Sequence, residues 1–146
     1  MGGFDTHGNH DRDQMRLILQ LFGGIHQVME LAKSEGLDQN IIMVVTSDFG
    51  RGPHYNGERD NAGKDHWPIT SAFFLGAGIP GDRVLGATDA EQLARPVDAS
   101  TLEVADGGVV IRPHHIHRAL RRLAAMDGHE IADAYPLAGE DLPLFG

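Results

Sequence analysis

The sequence contains no cysteine, no long apolar run and few positive charges. Without cysteine the chain can form neither disulfide bonds nor thiolate metal sites, and its compartment stays open because cytoplasmic and periplasmic proteins can both lack cysteine. No apolar run approaches the length of a membrane-spanning helix. The first motif begins at Asp5, so we expect no signal peptide within this sequence. These absences predict no membrane span and leave the localisation unknown.

The charge balance is acidic, with 12 Lys and Arg against 21 Asp and Glu, which gives a net charge of −9. Nucleic acids and anionic membranes are bound through basic surfaces, so we expect neither as a partner. Nine histidines together with the carboxylates supply many metal ligands, although histidines scattered over an acidic surface would give the same composition. The 146 residues suffice for one domain but hardly for two.

The order of apolar segments predicts a mixed α/β fold, with part of a layered sheet flanked by helices. Ile41 to Thr46 is continuously apolar and β-branched, which is typical of a strand buried on both faces of a parallel sheet. Residues 70–75 predict a second strand, and Gly2 to Phe4 predict the end of an earlier one, joined to Ile41 by a right-handed crossover. Between the later strands, Ser47 to Pro68 indicates a long polar loop.

Two helices are predicted, and the first spans Asp13 to Glu35, with Asp11 or Asp13 as its N-terminal cap and Gly36 at its C-terminal end. The second begins at Pro113 and runs to about residue 126. Residues 90–108 suggest an irregular strand pair, and the tail from residue 133 is expected to lie on the surface. The predicted buried stripe of the first helix consists of Met15, Ile18, Leu19, Phe22, Ile25, Met29 and Ala32.

Candidate metal ligands follow the predicted strands. Asp5 and His7 come after the first strand, Asp48 comes after the second, and His66 ends the long loop. In open α/β sheets, sites lie at the carboxyl ends of the strands, so these side chains are expected to converge. Each residue alone would be explained as a cap or a surface group. Together they predict a site for a borderline cation such as zinc, with manganese or calcium as alternatives.

Three ordered motifs resemble the domain of unknown function 1501 family, whose members are sulfatase-like proteins of the alkaline phosphatase superfamily. The motifs are Gly2-Gly3-Phe4-Asp5-Thr6-His7, Ser47-Asp48-Phe49-Gly50-Arg51 and Gly63-Lys64-Asp65-His66. The resemblance implies that residues 1–146 are a single domain, the C-terminal portion of a larger alkaline-phosphatase-like domain whose N-terminal half is absent. It also implies two metals that clamp the oxygens of a phosphate or sulfate ester.

Under this resemblance, Asp5, His7 and His66 match the ligands of one metal, and Asp48 matches a ligand of the other. The sequence departs from the superfamily at Phe49, where His or Asn is usual, and this departure puts the second metal in question. The nucleophile belongs to the missing half, so we assign none. Arg51 is predicted to hold the anionic ester group, with a structural salt bridge as the alternative.

The sequence thus predicts the metal-binding portion of a metal-dependent hydrolase of small anionic phosphate or sulfate esters. A catalytically inactive binding module on the same fold is the alternative, and an unrelated amidase-type site fits less well because it leaves the Ser47–Arg51 motif unexplained. The expected partner is a second copy of the chain or a complementing N-terminal half, since an incomplete sheet exposes an apolar edge. The histidines at 114, 115 and 117 are expected on a solvated helix face.

Overall fold

The computed structural model describes residues 2–58 and 60–146 and divides the chain into two compact units, Met1–Ala77 and Gly78–Gly146. Small antiparallel sheets in the first unit and helices in both confirm the mixed α/β class. The placement of the whole chain in one larger domain stays a prediction. Among the described residues, no helix is both long enough and apolar enough to cross a membrane.

Helix α1 spans His10–Ser34 and so begins before the predicted Asp13. Its N-terminal cap is Asn9, in a left-handed conformation with φ 49° and ψ 36°, and neither Asp11 nor Asp13 has that position. The C-terminal prediction is confirmed, because Gly36 has φ 67°. The N–H of Leu37 donates to the carbonyl of Ala32 at 2.7 Å, which completes a Schellman motif.

The predicted buried stripe of α1 is mostly exposed, which corrects the sequence-based core. Met15 and Leu19 are 62% and 66% exposed, and of the stripe only Ala32 is buried. Leu17, two residues from Met15 and therefore on the opposite side of the helix, is the other buried residue of α1. The buried face of the helix therefore overlaps the predicted stripe only at Ala32 and is displaced from most of it.

Strands β1 (Ile42–Thr46) and β4 (Ala72–Gly76) lie close to the two predicted strands, but they pair antiparallel, with Val44 opposite Phe74. The prediction of a parallel neighbour is therefore wrong. Burial also alternates along β1, so the strand is not buried on both faces. Gly2 to Phe4 belong to no strand in the structure, which removes the predicted crossover. A continuous apolar run indicates a strand but does not fix the direction of its partner.

The predicted long loop between residues 47 and 68 is instead an antiparallel hairpin. Strand β2 (Gly50–Tyr55) pairs with β3 (Lys64–Trp67), placing Arg51 directly opposite His66. The register shifts between Arg51 and Tyr55, so β2 contains a bulge or similar irregularity. This hairpin carries one of the predicted metal ligands.

The second unit has little regular structure. Helix α2 spans Pro113–Leu123, ending before the predicted residue 126, and a short helix α3 spans Glu130–Ala134. In place of the expected strand pair there are isolated bridges, from Val97 to Val104 and Val109 and from Ala94 to Thr88. The tail is not confined to the surface, because two of its leucines are buried. The core of this unit comprises Val97, Leu102, Ala119, Leu142 and Leu144.

Candidate metal centre

The segment that carries Asp5 and His7 is anchored by the residue between them. Thr6 is buried, and its hydroxyl oxygen lies 2.7 Å from His10 Nδ1. Gln14 Nε2 donates to the same oxygen at 3.0 Å and to the carbonyl of Phe4 at 2.8 Å. The first turns of α1 thereby hold this segment, with Thr6 turned inward and its two neighbours exposed.

Strand β3 approaches this segment at a glycine. The N–H of Lys64 donates to the carbonyl of Thr6 at 3.2 Å, and the N–H of His10 donates to the carbonyl of Ala62 at 3.1 Å. A Cβ on Gly63 would lie 2.0 Å from the carbonyl carbon of His7. Only glycine permits this approach, which brings the His66 end of the hairpin to the Asp5 segment.

Three of the four predicted ligands come together. His66 Nε2 lies 2.9 Å and His7 Nδ1 lies 3.1 Å from the same oxygen, Oδ1 of Asp5. One ligand atom from each of the three side chains lies within 4.8 Å of the others, and all three residues are exposed. The ligand atoms are therefore convergent and open to solvent, as a site that admits an ion and a further ligand requires.

Arg51 also binds Asp5 Oδ1. Its guanidinium donates in addition to the carbonyl of Lys64 at 2.7 Å and to that of Phe4 at 3.2 Å. Only 11% of its side chain is exposed. The hydrogen bonds from Arg51 and then from His66 lower the pKa of Asp5 to about 2. Asp5 is thus a carboxylate at neutral pH, which is the form that binds a metal.

Phe49 lies flat against His66. The two ring centroids are 3.8 Å apart with an angle of 16° between the planes, and the guanidinium carbon of Arg51 lies 5.1 Å from the Phe49 centroid. Ser47 Oγ donates to the carbonyl of Phe49 at 2.8 Å and so holds the turn that presents the ring. Phe49 is not a ligand, but it contacts one.

Asp48, the fourth predicted ligand, is exposed and is not part of the convergent group. Its assignment to a second metal therefore stays a prediction. Other polar residues of the hairpin contact α1 or one another. Tyr55 donates to Asp11 at 2.7 Å, and Asn56 Nδ2 lies 3.3 Å from Asp65 Oδ1.

Sequence reasoning missed the supporting residues Thr6, Gln14 and Gly63. A threonine between two candidate ligands, directly before a helix, was the available signal for Thr6. Gln14 and Gly63 act through contacts across the chain, which sequence spacing does not show.

The histidine cluster of the second unit differs from the prediction. His115 is only 2% exposed, which corrects its assignment to a solvated face, whereas His117 is exposed. Nδ1 of His115 accepts a hydrogen bond from the N–H of Arg112 at 2.9 Å, and Nε2 of His115 lies 3.0 Å from His114 Nε2. With Nδ1 as acceptor, the proton of neutral His115 is on Nε2, so neither nitrogen offers a free lone pair to a metal.

Residues 1–131 match the sequence profile of a family described as "Protein of unknown function (DUF1501)". The match covers most of the chain, so the chain belongs to this family, and the family predicted from the three motifs is confirmed. No curated protein and no solved structure matches the chain.

Proposed function

We propose that Asp5, His7 and His66 bind one divalent cation, and that this centre belongs to a sulfatase-like hydrolase of the alkaline phosphatase superfamily. The substrates would be small phosphate or sulfate esters. The observation that supports the proposal is the convergence of one carboxylate and two imidazoles from separate segments, with ligand atoms within 4.8 Å of one another.

The donor set fits zinc best among the candidate ions. Zinc accepts nitrogen and oxygen ligands, and catalytic zinc sites have three protein ligands and an open position. Calcium takes six to eight oxygen ligands, so two imidazoles in a group of three disfavour it. Manganese stays an alternative because it also accepts mixed nitrogen and oxygen ligands. The ionised Asp5 contributes the negative charge that a divalent ion needs.

Asp5, His7 and His66 would orient the ion towards solvent, where an ester can reach it. A bound divalent cation would supply Lewis-acid polarisation of an ester oxygen. Arg51 as a contact for the anionic group stays a prediction, since its guanidinium already binds Asp5 and two backbone carbonyls. The nucleophile is not assigned to any residue of this chain.

A catalytically inactive binding module is the second candidate function. Phe49 supports it, because an apolar ring occupies the position next to Asp48 where superfamily members usually have a metal ligand. Such a module would bind zinc without hydrolysing an aryl phosphate or aryl sulfate, whereas the hydrolase proposal requires turnover once the nucleophile is supplied.

Removing one ligand tests the metal site. The purified chain should bind about one zinc ion by calorimetric titration, and His66→Ala should weaken binding by more than about 100-fold, since loss of even a supporting residue costs 10- to 100-fold. His117→Ala removes an exposed histidine outside the group and is the matched control. Zinc binding by His66→Ala equal to that of the parent would overturn the assignment.

A further inference from the structure

The contacts of Phe49 and Arg51 single them out within the candidate metal centre, because each touches a ligand without belonging to the ligand group. Arg51 contacts Asp5, and Phe49 contacts His66. The two also contact each other through the ring face of Phe49. Asp5, Arg51, Phe49 and His66 therefore form a closed series of contacts around the site.

We propose that Phe49 and Arg51 are positioning residues, which hold His66 and Asp5 in the arrangement that binds the cation. This inference rests on the proposed metal site. It also gives a role to Phe49, which departs from the superfamily pattern. Where superfamily members usually have a metal ligand, this chain would have a ring that supports the ligand His66.

Arg51 joins three segments with one planar group. Its donors reach the carbonyl of Phe4, the carboxylate of Asp5 and the carbonyl of Lys64 in β3. Arg51 and His66 are directly opposite in the hairpin, so their side chains leave the same face of the sheet. With its side chain mostly buried, the guanidinium fixes the Asp5 segment relative to the strand that carries His66.

Phe49 limits how the His66 imidazole can turn. A nearly parallel stack at 3.8 Å blocks one face of the imidazole, so the ring cannot tilt towards Phe49. In this orientation Nε2 lies 2.9 Å from Asp5 Oδ1, within the group of ligand atoms. The backbone of Phe49 is itself held by Ser47. Orientation of a metal-binding histidine by a neighbouring group commonly changes metal affinity 10- to 100-fold.

An electrostatic role and a positioning role of Arg51 predict opposite changes in zinc affinity when Arg51 is replaced. The direction of the change therefore decides between them. If Arg51 only competed with the cation for Asp5, then Arg51→Gln would strengthen zinc binding by removing a positive charge. If Arg51 positions Asp5, the same variant should weaken binding by about tenfold. Arg51→Lys keeps the charge but loses the planar fork, so it should also weaken binding.

For Phe49, two substitutions distinguish the contribution of the aromatic ring face to zinc binding from that of apolar volume alone. Phe49→Leu should weaken zinc binding by about tenfold, while Phe49→Tyr should retain it because the ring face is kept. Affinities would be measured by chelator competition. The cobalt-substituted protein would be examined in parallel, since its visible absorption reports ligand geometry and does not depend on turnover. Phe49→Leu should alter that absorption, and Phe49→Tyr should leave it unchanged.

The outcomes distinguish this inference from the proposed function. Absence of zinc and cobalt binding to the parent chain would overturn both. Binding to the parent, with unchanged affinity and cobalt absorption in Phe49→Leu and Arg51→Gln, would overturn the positioning role alone. Stronger binding in Arg51→Gln would show that Arg51 is a competitor of the cation. Circular dichroism of each variant would confirm that the chain is folded.

Discussion

The two units of the chain differ in what organises them. The first unit contains α1 and all four strands, yet among its described residues only Leu17 and Ala32 are buried apolar residues. The second unit has two short helices and isolated bridges, but it has a cluster of five buried apolar residues. Regular secondary structure and buried apolar residues are thus concentrated in different units, and the candidate metal centre lies in the unit with fewer buried apolar residues.

The candidate metal centre in the first unit is held by polar contacts. The ligand segment is held by hydrogen bonds from Gln14, Lys64 and Arg51. A typical hydrogen bond contributes about 0.5–1.5 kcal/mol of net stability, whereas burying a leucine contributes about 1.5–3 kcal/mol. We therefore expect apolar truncations to matter most in the second unit and backbone or polar changes to matter most in the first.

The largest expected effect is at Leu142, which is 1% exposed in the core of the second unit. Leu142→Ala should lower the free energy of unfolding by about 2–5 kcal/mol, because it removes buried surface and leaves a cavity. The matched variant Leu19→Ala lies on the exposed side of α1 and should change stability by less than about 0.5 kcal/mol. Urea denaturation of both variants provides the measurement.

Equal losses of stability in Leu142→Ala and Leu19→Ala would contradict the difference in apolar packing between the two units. That result would mean that the exposed stripe of α1 is covered in solution, for instance by a second copy of the chain. Light scattering would then show a species larger than a monomer.

An intermediate effect is expected at Gly63, where an added Cβ would collide with the backbone of His7. Gly63→Ala should cost about 1–3 kcal/mol of stability and should weaken zinc binding, because β3 can no longer approach the Asp5 segment. Gly57→Ala is the control, since its Cβ would lie 3.6 Å from Ala62 Cβ, an ordinary contact. Unchanged zinc affinity in Gly63→Ala would show that zinc binding does not depend on the close contact between Gly63 and His7.

The smallest expected effect is a pH dependence of the second unit through His115. Burial first, and then the charge of His114, lowers the pKa of His115 in the folded chain. The unfolded chain therefore takes up the proton first as pH falls, so the stabilising contribution is complete above the ordinary histidine pKa of about 6.5 and declines below it. Arg118 and Glu140 are the other charged groups that act on this ring, and Arg112 contacts it through its backbone N–H.

His115→Gln should reduce the loss of stability between pH 7.5 and pH 5.5, measured by urea denaturation. His117→Gln, an exposed histidine on the same helix, should retain the full loss. A parent chain that is equally stable at both pH values would contradict the assignment.

The sequence predicted the elements better than their pairing. Apolar periodicity and the flanking Gly36 and Pro113 located α1 and α2, and β-branched runs located β1 and β4, because these signals are local. The hairpin was missed because β2 contains Gly52 and Pro53, which are typical of loops. Burial of Leu142 depends on contacts with distant residues, so the position of the tail could not be derived from its own composition.

The candidate ligands were predicted for a reason that proved only partly right. Asp5, His7 and His66 do converge, but a hairpin and a glycine contact bring them together instead of the shared edge of a parallel sheet. Residue type identified these three candidate ligands. The route by which they meet required the antiparallel pairing, which no local pattern specifies.

The stack between Phe49 and His66 also gives the site a magnetic signature. A ring lying flat at 3.8 Å places the imidazole protons of His66 in the shielding region of the phenyl ring current. In a proton spectrum these signals should be displaced upfield from those of exposed histidines such as His26 and His117. Ion entry or rotation of either ring would move the His66 signals, so these resonances report on the candidate centre without a substrate.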